Sequence, residues 1–199
     1  MANKIIFLND VRMYWGDLFT KAQDRTDTQT GKLIPGTFTF TGIFAPDSAA
    51  GKTATAAIQE VSQQEFGANW QAAIESIPVN RKPVRKGDLN LDKDGNVKPG
   101  FEGMLYISAK NDMKPKVVDA NPQIELHDGQ GRPYRGCRVN AKIEISAYTS
   151  KKPGVGRCLS AKILAVQWVG DGEAFGSAPP TADGFDVVPG AETSSNDIF

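Results

Sequence analysis

The chain is poor in the residues that most enzymes use for proton transfer and metal binding. Its 199 residues include one histidine, His127, and two cysteines, Cys137 and Cys158. A single histidine leaves no reserve of general bases, and two cysteines give no disulfide framework, so a reducing cytoplasm is the expected setting. Cys137 falls on the apolar face of a strand, which favours inert packing over a nucleophilic pair with His127. Zinc would need two more ligands from scattered carboxylates. No catalytic residue, metal ligand or cofactor is assigned, and an enzyme is disfavoured. Long hydrophobic runs are missing too. The stretch Ile5-Ile6-Phe7-Leu8 near the start is too short for a signal peptide or a membrane span.

Residues 171–199 lack lysine and arginine altogether. They hold Asp171, Glu173, Asp183, Asp186, Glu192 and Asp197, so the formal net charge of zero hides an asymmetry. The first 170 residues carry 23 basic side chains against 17 acidic ones. A cationic body with an anionic end is suited to a polyanionic partner. After Gly170, Gly, Ala, Ser, Pro and Thr dominate and periodicity vanishes, so the segment cannot bury enough apolar surface to offset its ordering entropy. The expected organisation is a core over 1–170 and a flexible acidic tail over 171–199 that ends in Asp197-Ile198-Phe199.

What is present is mostly strand signal. Residues 37–44 are rich in β-branched and aromatic side chains, and residues 104–110 repeat that pattern. Short pieces are expected at 115–118 and 123–127. In 136–148, Cys137, Val139, Ala141, Ile143, Ile145 and Ala147 fall on one face and polar side chains on the other, the alternation of a half-buried antiparallel strand. A Gly/Pro/Lys turn at 150–156 joins it to a second strand over 157–169. Between the early and late strands, 53–77 changes to helical spacing, with a break near Gly67 and an end before Pro78. The expected fold is mainly β: a five-stranded, partly open barrel of the OB kind with one or two helices and a disordered C-terminal tail.

Two stretches imitate known ligand loops. Pro46-Asp47-Ser48-Ala49-Ala50-Gly51-Lys52-Thr53 sits between strand and helix like a phosphate-binding loop, but Pro46 replaces the first glycine and donates no N–H. A nucleotide-handling enzyme using Gly51-Lys52-Thr53 is thus a secondary alternative, alongside a virion-associated β-barrel whose tail docks to a partner. Asn90-Leu91-Asp92-Lys93-Asp94-Gly95 begins like a calcium loop, yet the twelfth position is Phe101 where a bidentate carboxylate is needed; a turn on Asp94-Gly95 explains it better.

Nucleic-acid chemistry has more support. Single strands are held by a cationic groove with aromatic faces for base stacking. With Leu105, Ile107 and Ala109 inward, Tyr106 and Lys110 point outward together. The outward set of 136–148 includes Arg138, Lys142 and Tyr148. The preceding loop adds Arg132, Tyr134 and Arg135, the following turn Lys151, Lys152 and Arg157, and the linker Arg81, Lys82, Arg85 and Lys86. Near the start, Arg12, Tyr14, Trp15 and Phe19 are further candidates, with core packing favoured for Trp15 and Phe19.

Several segments resemble a family of single-stranded DNA-binding proteins from tailed bacteriophages: Val11-Arg12-Met13-Tyr14-Trp15-Gly16-Asp17-Leu18-Phe19, Arg85-Lys86-Gly87-Asp88, Tyr134-Arg135-Gly136-Cys137-Arg138-Val139, and residues 166–176 with Trp168, Asp171, Glu173 and Phe175. The resemblance implies an OB fold and a non-catalytic protein that coats single-stranded DNA in replication, recombination or repair, with little sequence preference. It further implies an acidic tail ending in phenylalanine that recruits replication or recombination proteins through Asp197, Ile198 and Phe199 and modulates DNA binding. A homodimer is compatible with the sequence, and no membrane partner is expected.

Overall fold

The computed structural model describes residues 1–28, 31–152 and 154–175. Its strands are β1 (Ala2–Trp15), β2 (Arg25–Thr26), β3 (Leu33–Ile34), β4 (Phe38–Phe44), β5 (Val84–Lys86), β6 (Leu105–Asn111), β7 (Lys116–Val118), β8 (Arg138–Thr149) and β9 (Arg157–Gly170). Helices α1 (Ala49–Phe66) and α2 (Trp70–Ser76) lie between β4 and β5. The main sheet runs β5-β6-β4-β1-β8-β9-β7, and β2-β3 form a separate two-stranded ribbon.

Five long strands, β6-β4-β1-β8-β9, make the body. All pair antiparallel, whereas β7 joins β9 in parallel. The sheet curls until β6 meets β9 without a ladder between them; Asn111 Nδ2 donates to the Ile163 carbonyl at 2.8 Å across that seam. The result is a partly open, OB-like barrel, as the strand pattern predicts. Its interior follows the period-2 rule: Val139, Ala141, Ile143 and Ile145 of β8 face Ile6, Leu8, Phe40, Ile107, Ile163 and Val166, all buried.

The helical spacing expected over 53–77 holds, with α1 starting four residues earlier, at Ala49. Ala50, Ala54, Ala57 and Val61 recur at helical intervals and are buried on the barrel. Their small volume lets α1 sit close to β1. Ser48 caps α1, its hydroxyl accepting from the Gly51 N–H at 3.1 Å, and Gly67 ends it with a positive φ of 65°. Glu60 and Glu65 of α1 pair with Lys4 and the N-terminal amine.

β1 was not evident from the sequence as a strand, because its pattern is broken twice. The register with β8 slips between Leu8 and Val11, where Asp10 has a φ of 59°, and the register with β4 slips between Met13 and Trp15. Such bulges disrupt the alternation on which a strand assignment depends.

The described chain does not leave the barrel at Gly170. Tyr134 Oη donates to Asp171 Oδ1 at 3.0 Å and accepts from the Gly172 N–H at 3.1 Å. Gly136, with a φ of 111°, brings its backbone against Glu173; a Cβ there would lie 2.4 Å from the Glu173 carbonyl oxygen. The stretch 171–175, assigned to the tail on composition, is therefore packed on the core. Asp197, Ile198 and Phe199 lie outside the described residues.

Candidate nucleic-acid interface

The outer face of the sheet carries a row of directly opposed residues across five strands. Arg138 of β8 opposes Arg12 of β1, Arg12 opposes Ile43 of β4, Ile43 opposes Tyr106 of β6, and Tyr106 opposes Arg85 of β5. Opposed residues in antiparallel pairs share a face, so the row runs from arginine through apolar side chains to arginine. One rung further, Trp15 opposes Thr41 and Thr41 opposes Ser108; the next rung pairs Thr39 with Lys110.

Tyr106 does not stand free in solvent as its strand position suggested. It is 7% exposed, because Phe101, from the loop before β6, folds over it with ring centroids 5.2 Å apart. Tyr14 packs edge-on against the same Phe101 at 4.7 Å. Guanidinium groups top these rings: Arg85 lies 4.8 Å from the Tyr106 centroid and Arg135 4.4 Å from that of Tyr14. Arg85 Nη2 also donates to Ser108 Oγ at 3.0 Å. Tyr106 is thus a buried support that holds Arg85.

Trp15 reverses the other expectation. It is 52% exposed, because the bulge after Met13 inserts an extra residue and turns both Tyr14 and Trp15 to the outer face. A depression of about 290 Å³ lies between Trp15, Tyr106 and Arg85. It shares Arg85 and Ser108 with a cleft of about 380 Å³ that holds Arg81, Lys82, Lys110 and Lys162, with Asp112 as its carboxylate. A third depression continues past Lys110 to Arg25. The three form a track with an exposed indole at one end and cations along it.

Among the sequence candidates, Arg81, Lys82, Arg85 and Lys110 line this track, and Tyr106 forms part of its floor. Arg138 stands at the far end of the row and is held by the Asp10 carboxylate, which pushes its pKa up. Lys142 lies on the outer face of β1–β8, over Phe7. Arg132 pairs with Asp119 at 3.1 Å and covers Trp168, while Tyr134 holds the 171–172 turn. Arg157 sits over Phe66 of α1, and Lys151 and Lys152 are exposed at the β8–β9 turn; none of these three lines the track. Tyr148 is half-buried opposite Cys158, and Lys86 is exposed on β5 outside the depressions. The outward residues of the two strands therefore divide: Tyr106 and Lys110 belong to the track, whereas Arg138, Lys142 and Tyr148 do not line it.

Sequence reasoning favoured the core for Trp15 and missed Ser108, Arg25 and Lys162 as neighbours of the cations. Ser108 was readable, since it falls between Tyr106 and Lys110 at a spacing of two. Arg25 and Lys162 were not, because they enter from other elements.

The two imitation loops are accounted for by local bonding. The Gly51 N–H is used by Ser48 Oγ and the Lys52 N–H by the Ser48 carbonyl, so the turn aims neither donor at a phosphate. Asp92 Oδ1 accepts from the N–H groups of Asp94 and Asn96 at 2.9 Å each, closing a turn between Leu91 and Val97. Among the described residues no group of three His, Cys, Asp or Glu side chains is placed to hold a metal ion. Burial pushes the Cys137 thiol pKa up, away from a reactive thiolate. No described helix is long and apolar enough to cross a membrane.

Comparison with known proteins agrees with this architecture. Residues 3–199 match the family described as Enterobacter phage Enc34, ssDNA-binding protein. The chain belongs to the Enc34 ssDNA-binding family. It is 33% identical over 198 residues to protein p50 of Acyrthosiphon pisum secondary endosymbiont phage 1, covering 94% of this chain and 95% of p50. The single-stranded DNA-binding protein of bacteriophage Enc34, solved in complex with ssDNA, superposes with a TM-score of 0.64 at 23% identity, covering 86% of this chain and 89% of that one. A second structure of the single-stranded DNA-binding protein from bacteriophage Enc34 gives 0.63 at 22% identity, covering 92% of this chain and 90% of that one. At such identities the superpositions establish the shared fold.

Proposed function

We propose that this family member is a non-catalytic phage protein that binds single-stranded DNA along the Trp15–Arg85–Lys110 track with little sequence preference. The observation that carries this is the exposed Trp15 indole at the head of a cation-lined track. One base stacks on Trp15, phosphates meet Arg85, Lys110, Arg81 and Lys82, and the hydroxyls of Thr41 and Ser108 contact the backbone between them. Every base has a π-face and every nucleotide a phosphate, so this chemistry distinguishes strandedness more than sequence. The solved Enc34 relative, described as in complex with ssDNA, supports the assignment.

The wider role follows from the same chemistry. Coating exposed single strands serves replication, recombination or repair in the host cytoplasm. The Asp197-Ile198-Phe199 end recruits proteins of those processes: a terminal phenylalanine can enter an apolar pocket while its carboxylates meet a basic rim. The six acids of 171–199 compete with phosphate for the cationic face, beginning with the stretch already packed beside Arg12.

A labelled oligonucleotide titrated at two salt concentrations tests the core assignment. Tight binding at low salt that weakens steeply with salt is expected, because phosphate contacts release counterions. Absence of binding at low salt, or affinity indifferent to salt, overturns it.

A further inference from the structure

The outer face of β1, β8 and β9 carries a second combination of ring and cations, separate from the track. Phe7 is 60% exposed although β1 is a central strand of the sheet. Lys142 opposes it, with Nζ 5.5 Å from the ring centroid. Lys142 in turn opposes Ala165 of β9, and Ala165 opposes Lys116 of β7. The rung therefore reads Phe7, Lys142, Ala165, Lys116. The small Ala165 side chain separates the two lysine positions, and a cavity of about 110 Å³ opens beside it, lined by Phe7, Val118 and Lys142.

Neither lysine forms an ion pair among the described residues, whereas Glu144, the acid on the neighbouring rung, is taken by Lys162 at 3.5 Å. The rung also continues the first row. Arg138, Asn140 and Lys142 succeed one another on the outer face of β8, which places Lys142 about 13 Å from Arg138 along the strand.

We propose that Phe7, Lys142 and Lys116 form an auxiliary subsite for single-stranded DNA, one base stacking on Phe7 and a neighbouring phosphate lying between the two lysines. This rests on the reading that the Trp15–Arg85–Lys110 track takes single-stranded DNA, and extends the strand path beyond it. A nucleotide supplies a π-face and an anion in one repeating unit, which is the complement this rung offers. The two cations across an alanine gap match a phosphate better than an uncharged partner, and the rung lies in line with Arg138.

The subsite is tested with the full chain, using fluorescence polarisation of a short oligothymidylate that fills only the track and a longer one. Phe7→Ala and Lys116→Gln/Lys142→Gln are compared with the parent protein. For the longer oligonucleotide, Phe7→Ala is expected to lose about tenfold in affinity. The double lysine variant is expected to show a salt slope reduced by about 1 to 2. The short oligonucleotide is expected to bind Phe7→Ala as it binds the parent. Unaltered binding of the long oligonucleotide by both variants overturns the subsite; if Trp15→Ala still weakens binding in that experiment, the track stands without it. A synthetic peptide of residues 190–199 provides the remaining arm. If it binds the parent but not Phe7→Ala, while long-oligonucleotide affinity is the same for both, the rung is a docking site for the chain's own end and the DNA subsite is overturned. Phe7 is largely solvent-exposed, and thermal melts of the variants check that each is folded.

Discussion

Phe175 lies against Arg12: the guanidinium carbon is 3.8 Å from the ring centroid, and the same arginine donates to the Glu173 carbonyl. The ring also packs edge-on to Tyr14 at 5.2 Å. Arg12 belongs to the row that links Arg138 to Arg85, so residues 173–175 occupy part of the face assigned to DNA. Removing this contact should free Arg12 for phosphate. Phe175→Ala is expected to raise affinity for oligothymidylate about two- to fivefold, the range of a surface cation–π contact. Truncation after Gly170 should raise it further by deleting six carboxylates. Equal or weaker binding by both proteins counts against competition between this stretch and DNA.

Trp15 provides a spectroscopic test. Trp15→Ala should weaken single-strand binding by about 1–3 kcal/mol, while Trp15→Phe keeps most of the affinity because a ring remains. Oligonucleotide should quench tryptophan emission in the parent and much less in Trp15→Phe. Full quenching in Trp15→Phe would place the stacked base elsewhere.

The cations differ in what they do. Lys110→Gln removes one phosphate partner and should lower the salt slope by about 1 without affecting stability. Arg85→Lys retains charge but gives up the planar group that covers Tyr106 and bonds Ser108. It should weaken binding while leaving the salt slope nearly unchanged. Identical salt slopes for Lys110→Gln and the parent would remove Lys110 from the track.

Gly87 is where the end of β5 meets the Phe101 loop. Its N–H donates to the Met104 carbonyl at 2.7 Å, and a Cβ there would lie 1.9 Å from the Phe101 carbonyl oxygen. Gly87→Ala must push the two backbones apart, with an expected loss of about 1–3 kcal/mol in urea unfolding. DNA affinity should fall with it, since β5 carries Arg85 and Phe101 supports Tyr106. Parent-like stability would show that the loop yields freely.

Lys52→Ala is expected to change neither stability nor DNA binding, because Lys52 is exposed in the first turn of α1. Measurable ATP hydrolysis by the parent, lost in this variant, would contradict that.

The elements with uninterrupted periodicity were legible in the sequence. β8 shows strict alternation from Cys137 to Ala147, and every apolar member of that series is buried. α1 shows part of its stripe through Ala57 and Val61, both buried. The site was legible only in part. Arg85 and Lys110 were found because their charge and strand position could be read locally. Trp15 was misplaced because one inserted residue reverses the facing of all that follow. Tyr106 was placed on the correct face of β6 but not recognised as covered, since its cover, Phe101, comes from a loop whose path leaves no periodic trace.

The acidic end shows the same division. Composition alone determined that residues 171–199 carry six acids and no bases, and that the preceding 170 residues are cationic. Local pattern determined a mainly β chain with one helical insertion, because hydrophobic alternation is a property of consecutive residues. Only the tertiary structure decided that Glu173 and Phe175 fold back over Arg12 and that Trp15 faces solvent. It also separated Lys142 from Lys110. Those outcomes depend on bulges, strand register and loop contacts between residues as much as 161 positions apart, and no local pattern encodes them.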